Sequence, residues 1–447
     1  MSEDVSREIK RYARDLSHIF SAFGHEKRLL ALSCLFDGEK DLQYLMGVTE
    51  MSKNGLVNHL NVLLDAGLVV RVARGKYGLT EDGRAYLTDT VDQYLISEKY
   101  LNQKHKIESK MYHMREIKVK AKIVDSPAKY ERCWFSYPGA VTGVLRALGK
   151  AIDLVDVYSV SGYGWITNAM KKQLCPSAPS AFHNDVWNEI YNATEDLGFS
   201  IELFNIDYGF SLDQNQKPTP ESIINAGKLF DAIKKEIDQN RPVILWGILI
   251  PEYGIVKGYR DEYYIVSTFR SLIGQPDDPV HYTGLMPPGG LLAIMFREEK
   301  EIDPIDVAIK SLKRGFRLAS GKVSKIQEYV IGLEAYDILA TNLVDEPHNE
   351  NSYHGYSYTI ACLQESKWAV SEYLKRLDGV LEIDLKPVIN GYVRTYELVK
   401  ECLKITPFAM RGKLNPEICQ KSSKLLINAK EYETEALNSL ASVLTNL

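Results

Sequence analysis

Short polar side chains follow one side of a predicted helix near the N-terminus, and their chemistry suits contact with DNA. Four leucines between positions 56 and 64 recur at helical spacing and would form the buried side of that helix. Amide side chains match the hydrogen-bonding pattern of base edges, and lysine reaches phosphates. The residues predicted to contact DNA from this helix are Ser52, Lys53, Asn54, Asn58, His59 and Asn61.

Three basic residues follow in a predicted β-hairpin. Residues 68–72 are rich in β-branched side chains, which favours a strand, and Gly75 and Gly78 flank the hairpin tip. The basic residues are Arg71, Arg74 and Lys76. Cations at these positions would contact phosphates and make binding salt-dependent. Similar elements also occur in protein-interaction modules, so an adaptor that never touches DNA is the alternative.

Three predicted helices precede this surface and would position it. They cover residues 6–23, 26–35 and 41–46, and residues 47–51 are predicted to form the turn before the next helix. Ser52 is a suitable N-cap, because its hydroxyl can accept a backbone hydrogen bond from the first turn. The order is therefore that of a helix-turn-helix followed by a hairpin.

Two segments of this region resemble winged-helix regulators of the ArsR class. They are residues 23–32, FGHEKRLLAL, and residues 58–69, NHLNVLLDAGLV. The resemblance covers residues 1–90 and implies a homodimer that binds double-stranded operator DNA in the major groove. Many members of the class sense metals through cysteines on the helix before the recognition helix. Residues 41–46 contain no cysteine, so we predict neither a metal site nor a cofactor.

The segment 91–127 is predicted to be a linker or a dimerisation helix. A helical pattern runs over residues 85–100, and regulators of the ArsR class often pair their subunits through such a helix. Lysine and arginine then outnumber acidic residues up to position 120. These cations suggest either a solvated helix or additional contacts to the DNA backbone.

Length and composition limit the classes of protein that fit the chain. A chain of 447 residues is long enough for about three domains. The net charge is −5, but the first 120 residues contain 19 Lys and Arg against 17 Asp and Glu, which weakly favours a nucleic-acid surface there. Six cysteines without a CxxC motif are typical of reduced intracellular thiols. No long apolar run is present, so we expect no membrane association and a cytoplasmic location.

Residues 128–300 have a mixed pattern of predicted helices and strands. Helices are predicted over residues 139–149, 186–197 and 222–239, and strands over residues 201–206 and 241–247, followed by a hairpin over residues 254–267. This order resembles a papain-like cysteine peptidase fold. It is similar to the double-glycine-leader peptidases and to the N-terminal family of the butirosin-biosynthesis acyltransferase, with residues 136–149, 241–246 and 255–266 carrying the resemblance.

The resemblance also shows which positions would carry catalysis. Such an enzyme needs a cysteine nucleophile, a histidine base and a group that orients the histidine. Ser136 stands at the position of the nucleophile, Glu252 or Tyr253 at that of the base, and Ser267 near that of the orienting group. His183 and His281 remain as outside candidates for a base. We therefore expect a catalytically inactive domain rather than an acyltransferase or peptidase.

A peptidase cleft without catalysis would be a pocket for a small molecule. Aromatic rings supply stiff contact area, and a carboxylate could orient a cationic or hydroxyl group. Any single ring could instead belong to the hydrophobic core. The predicted ligand-binding residues are Tyr137, Tyr163, Trp165, Phe182, His183, Trp187, Trp246, Glu252 and Tyr253.

Residues 301–447 are predicted to form a helical domain with almost no strand signal. The predicted helices cover residues 305–320, 324–343, 358–377, 384–403 and 416–444. Bundles of this kind cap a pocket or form a subunit interface. The histidines and glutamates between positions 346 and 354 lie in a polar loop, where a metal site is not expected.

Together these features predict an α+β protein that regulates transcription. The N-terminal domain would bind an operator as a homodimer, and the central domain would bind an unknown small-molecule effector. The effector would have to bind the DNA-competent and DNA-incompetent states unequally. The alternatives are an acyltransferase or peptidase-like enzyme tethered by a winged helix, and a protein–protein adaptor.

Overall fold

The chain divides into two compact units, residues 1–118 and residues 119–447, each with a hydrophobic core of its own. The computed structural model describes residues 2–95, 121–126, 128–207, 211–212, 217–286, 290–345, 348 and 350–445. Residues 96–120, which include most of the predicted dimerisation segment and its lysines, lie outside the described residues.

The N-terminal unit is a set of helices with a small antiparallel sheet. Its helices are α1 (Ser2–Phe23), α2 (Glu26–Phe36), α3 (Leu42–Thr49), α4 (Lys53–Asp65) and α5 (Glu81–Leu95). Its strands are β1 (Lys40–Asp41), β2 (Val69–Ala73) and β3 (Lys76–Leu79), in the order β1-β3-β2. These elements confirm the predicted order of helices followed by a hairpin.

Helix α4 begins and ends where local chemistry requires. The Ser52 hydroxyl accepts a hydrogen bond from the Gly55 N–H at 3.3 Å, as expected of an N-cap. Gly67 adopts a φ of 70°, a left-handed conformation that glycine tolerates, and the chain enters β2 directly. The predicted turn over residues 47–51 is too long, because α3 continues to Thr49 and Glu50 makes the turn with a φ of 52°.

The C-terminal unit contains a large sheet and many helices. Its strands are β4 (Ala121–Ile123), β5 (Asn168–Met170), β6 (Phe199–Ile206), β7 (Val243–Trp246), β8 (Tyr253–Arg260), β9 (Tyr263–Ser267), β10 (Val280–His281), β11 (Leu291–Glu299) and β12 (Tyr329–Ile331). Its α-helices are α6 (Ser136–Ala147), α7 (Leu154–Val160), α8 (Asn184–Thr194), α9 (Pro220–Asp238), α10 (Pro304–Ala319), α11 (Glu334–Asp345), α12 (Glu350–Leu377), α13 (Lys386–Ile405) and α14 (Pro416–Leu444).

The large sheet is antiparallel throughout its described strands. Its order is β10-β9-β8-β7-β11-β6, and β4 pairs with β8 outside this path. Helix α6 packs closely on β8, which requires a glycine at position 143. A Cβ atom there would lie 2.1 Å from the Lys129 carbonyl oxygen and 2.6 Å from Cδ1 of Ile255. The sheet and its helices confirm an α+β fold in which the described sheets are antiparallel.

The sheet and the later helices share one core, which extends from Val124 to Leu440. One prediction in this part of the chain is wrong. The helix expected over residues 324–343 is replaced by strand β12 and the shorter helix α11. Strand β12 pairs with β5, and the Gly332 N–H donates to the Thr167 carbonyl at 2.8 Å. Within the described residues, no helix is both long and apolar enough to cross a bilayer.

Candidate functional site

The exposed side of α4 continues into the hairpin formed by β2 and β3. The predicted DNA-contacting residues that are exposed are Ser52, Lys53, Asn54, Asn58, Asn61, Arg71, Arg74 and Lys76. His59 differs from them because it packs against α2. Its Nδ1 lies 3.4 Å from Nη1 of Arg28, and its ring centroid lies 4.4 Å from that of His25. The pKa of His59 is lowered by burial and then by electrostatic repulsion from His25 and Arg28.

The basic residues of the hairpin have different surroundings. The Arg71 guanidinium lies 5.5 Å from the centroid of the Tyr77 ring and donates to the Tyr77 hydroxyl at 3.3 Å. Lys76 forms an ion pair of 2.8 Å with Glu39. Arg74 lies at the exposed tip beside Gly75, whose φ is 74°. Of these three basic residues, Arg74 is the one whose side chain has no partner among the described residues.

The second group of candidate residues surrounds the start of α6 in the C-terminal unit. Ser136 is the first residue of α6, and its hydroxyl donates to the Glu252 carboxyl. The Tyr253 N–H donates to the same hydroxyl oxygen at 3.1 Å. Packing of α6 on β8, which begins at Tyr253, brings together residues that lie 116 positions apart. Ser136 and Glu252, both singled out from the sequence, are therefore in contact.

The carboxyl of Glu252 lies in surroundings that disfavour its charged form. Burial raises the pKa of Glu252, and the hydrogen bond from Ser136 offsets part of that rise. Ser267, near the predicted position of an orienting group, instead accepts a hydrogen bond from the Tyr130 N–H at 3.1 Å. It therefore positions the chain before α6 and does not contact Glu252.

Neither histidine considered as a base hydrogen-bonds to Ser136. His183 is the N-cap of α8, where its Nδ1 accepts from the Asp185 N–H at 3.2 Å. Its side chain is 43% exposed. His281 contacts Thr283 and Glu262 beside β10. Ser136 thus has a carboxyl as its only described side-chain partner.

Most of the predicted ligand-binding rings pack together beside Ser136. The centroid of the Tyr137 ring lies 5.4 Å from that of Tyr253, 5.8 Å from that of Trp187 and 6.0 Å from that of Tyr163. Phe182 joins this cluster through Trp187 at 5.4 Å. Trp187 is partly accessible, whereas the other four rings are buried.

Hydroxyl groups within the cluster find partners inside the protein. The Tyr137 and Thr194 hydroxyls lie 2.7 Å apart, and those of Tyr191 and Tyr253 lie 2.6 Å apart. Trp246, also partly accessible, lies 4.8 Å from the Tyr253 ring. The cluster therefore forms an aromatic wall beside Ser136.

Trp165 does not belong to this wall. It is fully buried, and its Nε1–H donates to the Ser159 carbonyl at 3.0 Å. Its ring packs at 5.2 Å from that of Tyr392 on α13. Trp165 is therefore a core residue at the junction with the later helices, and His183 is an exposed helix cap. The structure does not bring either side chain to Ser136.

Helix α12 contributes three side chains that the sequence analysis missed. Tyr358, Cys362 and Glu365 follow at helical spacing, so they share one face of α12. The Glu365 carboxylate accepts from the Tyr158 hydroxyl at 2.5 Å and from the Trp134 N–H at 2.7 Å. The Tyr358 hydroxyl donates to the Trp134 carbonyl at 3.0 Å. The segment before α6 is therefore bound to α12 on one side and to Glu252 on the other.

Burial also determines the protonation of the groups near α12. It raises the pKa of Glu365 to about 7, although the hydrogen bonds from Tyr158 and Trp134 oppose the rise. Burial and then the charge of Glu365 raise the pKa values of Cys133 and Cys362. Both thiols therefore stay protonated near neutral pH and are poor nucleophiles.

No family model and no curated protein matches this chain.

The site thus combines a serine, two buried carboxyls, two protonated thiols and a wall of aromatic rings. Cys133, Trp134, Glu252, Tyr358 and Glu365 all retain partial accessibility, so solvent reaches this part of the unit. Among the residues that the structure describes, no three His, Cys, Asp or Glu side chains converge as metal ligands.

Proposed function

We propose that the protein is a ligand-responsive DNA-binding regulator. The observation that carries the proposal is the exposed polar side of α4, which continues into the basic hairpin. In the proposed winged helix, α4 would enter the major groove and the hairpin would contact backbone phosphates. Asn58 and Asn61 would meet base edges, and Lys53, Arg71 and Arg74 would meet phosphates. A protein with this function would act in the cytoplasm, where operator DNA is found.

The proposed sensor is a papain-like domain without catalysis. Its support is the contact between Ser136 and Glu252, at the two positions where the resemblance expects a nucleophile and its base. Because burial raises the pKa of Glu252, this carboxyl accepts a proton readily. No second described side chain orients the Glu252 carboxyl, as catalysis would require. The site beside the aromatic wall would bind the effector, and its occupancy would shift the population of DNA-competent molecules.

A homodimer is the proposed assembly of this regulator. Helices α1 and α5 of the N-terminal unit expose large apolar side chains, which favours contact with a second copy of the chain. These side chains are Ile9, Tyr12, Phe20, Tyr86, Val91 and Tyr94. Two-fold symmetry would place two copies of α4 on the half-sites of a palindromic operator.

The direct test of DNA recognition is the double substitution Asn58→Ala and Arg74→Ala. Loss of the Asn58 base contact should cost about 1–3 kcal/mol, and loss of the Arg74 phosphate contact should weaken binding further, so affinity for DNA from the gene's own promoter should fall at least tenfold. Gel-shift titration of the full chain measures this change. The matched control is Asn438→Ala with Arg394→Ala, which removes the same residue types from exposed positions of the C-terminal unit. Unchanged DNA affinity of the variant with Asn58→Ala and Arg74→Ala would contradict the proposed DNA-binding function.

A further inference from the structure

Two buried carboxyls flank the short segment that precedes α6. Glu252 is bound through one carboxyl oxygen to the hydroxyl of Ser136, and Glu365 through one oxygen to the N–H of Trp134 and the hydroxyl of Tyr158. The other oxygen of each carboxyl, Oε1, has no hydrogen-bond partner among the described residues. Neither Oε1 is sealed from solvent by the surrounding protein. Each carboxyl therefore offers a free acceptor to a space that solvent reaches.

No cationic side chain of the described chain compensates these carboxyls. Among the residues that the structure describes, no Lys, Arg or His forms an ion pair with either of them, although most other partly buried carboxylates of the C-terminal unit have such a partner. Burying a carboxylate without a counter-charge is costly. A ligand that supplied a positive charge would offset part of that cost.

The titratable groups whose pKa values respond to the two carboxyls are tyrosines and cysteines. His354 packs on the rings of Tyr358 and Phe408, at 6.4 and 5.9 Å between centroids, and forms no ion pair with either carboxyl. After burial, the charge of Glu365 contributes to the raised pKa values of Tyr158, Cys133 and Cys362. The charge of Glu252 contributes in the same way to those of Tyr130, Tyr163, Tyr358 and Cys362. Cys362 responds to both, so the two carboxyls act on the same region. All of these tyrosines and cysteines have raised pKa values and stay neutral near pH 7, so none of them supplies a charge.

Aromatic rings lie on and beside the segment that the two carboxyls flank. The ring of Trp134 is partly accessible and lies 6.2 Å from that of Tyr358 and 4.9 Å from that of Phe408, centroid to centroid. Phe408 follows α13 and is 37% exposed. Ring faces attract organic cations, most strongly where water is excluded. A hard metal ion would instead need several converging oxygen ligands, and the described residues provide no such group.

We propose that this site binds a small organic cation, an alkylammonium compound, whose positive charge is compensated by Glu252 and Glu365 beside the rings of Trp134 and Tyr358. The inference rests on the proposed ligand-binding role of the site and adds the chemical class of the ligand. Both carboxyls are engaged only partly by the protein, so they can accept the N–H groups of an ammonium without losing their present partners.

Binding of a cation should release a proton. The ligand favours the ionised form of Glu365, whereas burial holds the pKa of that carboxyl at about 7 in the free protein. Below that pH the carboxyl must lose its proton when the ligand binds, and above it the carboxyl is already charged. Affinity should therefore rise by up to about tenfold per pH unit below pH 7 and level off above it.

Isothermal titration calorimetry of the full chain tests the proposal directly. The probes are butane-1,4-diamine and tetramethylammonium, with butane-1,4-diol as the neutral counterpart, each at millimolar concentrations from pH 6 to pH 8.5. At least one cationic probe should bind, more tightly at higher pH, and the diol should not. Glu365→Gln keeps acceptors for Trp134 and Tyr158, so it should weaken binding about tenfold or more and flatten the pH dependence. Glu252→Gln should also weaken binding.

The matched control is Glu382→Gln, which removes an exposed carboxylate of the same unit and should leave affinity unchanged. Circular dichroism confirms that each variant is folded. The proposal is overturned if neither cation binds, if the diol binds as well as the diamine, or if both carboxyl variants bind like the wild type. This readout needs no DNA. If a cation binds but promoter affinity never changes with it, the ligand class stands and the regulator assignment fails.

Discussion

The hydroxyl of Ser136 donates to Glu252 and accepts from the Tyr253 N–H, so both of its hydrogen-bonding functions are satisfied. A nucleophile needs a base that is itself oriented, and within the described part of the chain the Glu252 side chain has no hydrogen-bond partner except Ser136. We interpret this pair as a structural connection between α6 and β8 at one side of a binding site.

Removing the Ser136 hydroxyl separates this account from the enzyme alternative. Ser136→Ala takes a donor from the buried Glu252 carboxyl, which should raise the pKa of Glu252 further and lower the free energy of unfolding by about 1–2 kcal/mol. Urea unfolding measures the stability, and gel-shift titration should show DNA affinity like that of the wild type. Ser177→Ala, at an exposed position whose side chain makes no capping hydrogen bond, is the control. Loss of an acyl-transfer or hydrolytic activity in Ser136→Ala would favour the enzyme instead.

The pairing of Ser136 with Glu252 or Tyr253 follows from the sequence only through the resemblance to papain-like enzymes, which places them at the positions of nucleophile and base. It missed Glu365 because that residue lies on a helix beyond the region of resemblance. The spacing of Tyr358, Cys362 and Glu365 on one helical face was a usable signal, since a carboxylate among apolar neighbours is rarely buried without a reason. The aromatic type of Trp165 did not reveal whether the ring lines a site or fills the core.

At the scale of elements, α12 connects the site to the core of the helices. Its Lys367 is fully buried and donates to Glu433 of α14 at 2.7 Å and to the Trp165 carbonyl at 3.2 Å. The Tyr336 hydroxyl donates to the other carboxylate oxygen of Glu433 at 2.6 Å. This network fixes the rotation of α12 and hence the direction of its Glu365 face.

Breaking the network should cost more than an exposed ion pair would. Lys367→Met leaves the Glu433 charge buried without compensation, so we expect the free energy of unfolding to fall by about 3–5 kcal/mol. Lys367→Met combined with Glu433→Gln should recover much of that loss. Urea unfolding monitored by circular dichroism measures both. Lys375→Met breaks the exposed pair with Glu372 and should change stability by less than about 1 kcal/mol. A similarly small loss in Lys367→Met would contradict the role of the network.

Elements were predictable wherever hydrophobic periodicity was local. Helices α4, α9 and α14 and strands β7 to β9 lie close to their expected positions, because their apolar residues repeat with the period of a helix or form short β-branched runs. Strand β12 was missed since its pairing with β5 joins residues about 160 positions apart. Such a pairing leaves no local pattern in the sequence.

At the scale of the whole molecule, the exposed apolar side of α1 and α5 predicts a dimer. Phe20 is 66% exposed, and Phe20→Asp would place a charge in the proposed interface, where desolvation disfavours it. Sedimentation velocity should therefore show a shift from dimer towards monomer. Ile302→Asp makes the same change at an exposed position of the C-terminal unit and should remain dimeric. The proposed dimer would be wrong if the wild type is a monomer, or if Phe20→Asp forms a dimer of unchanged affinity.

The measurement that tests the central claim most directly is the salt dependence of promoter binding. Fluorescence anisotropy of labelled promoter DNA, titrated with the full chain at several salt concentrations, gives the slope of log affinity against log salt. The three proposed phosphate contacts in each protomer, from Lys53, Arg71 and Arg74, predict a slope of roughly −3 to −6, and Arg74→Ala should make it shallower by about 1–2. A slope near zero, or no binding at low salt, would contradict the account and favour a protein–protein adaptor.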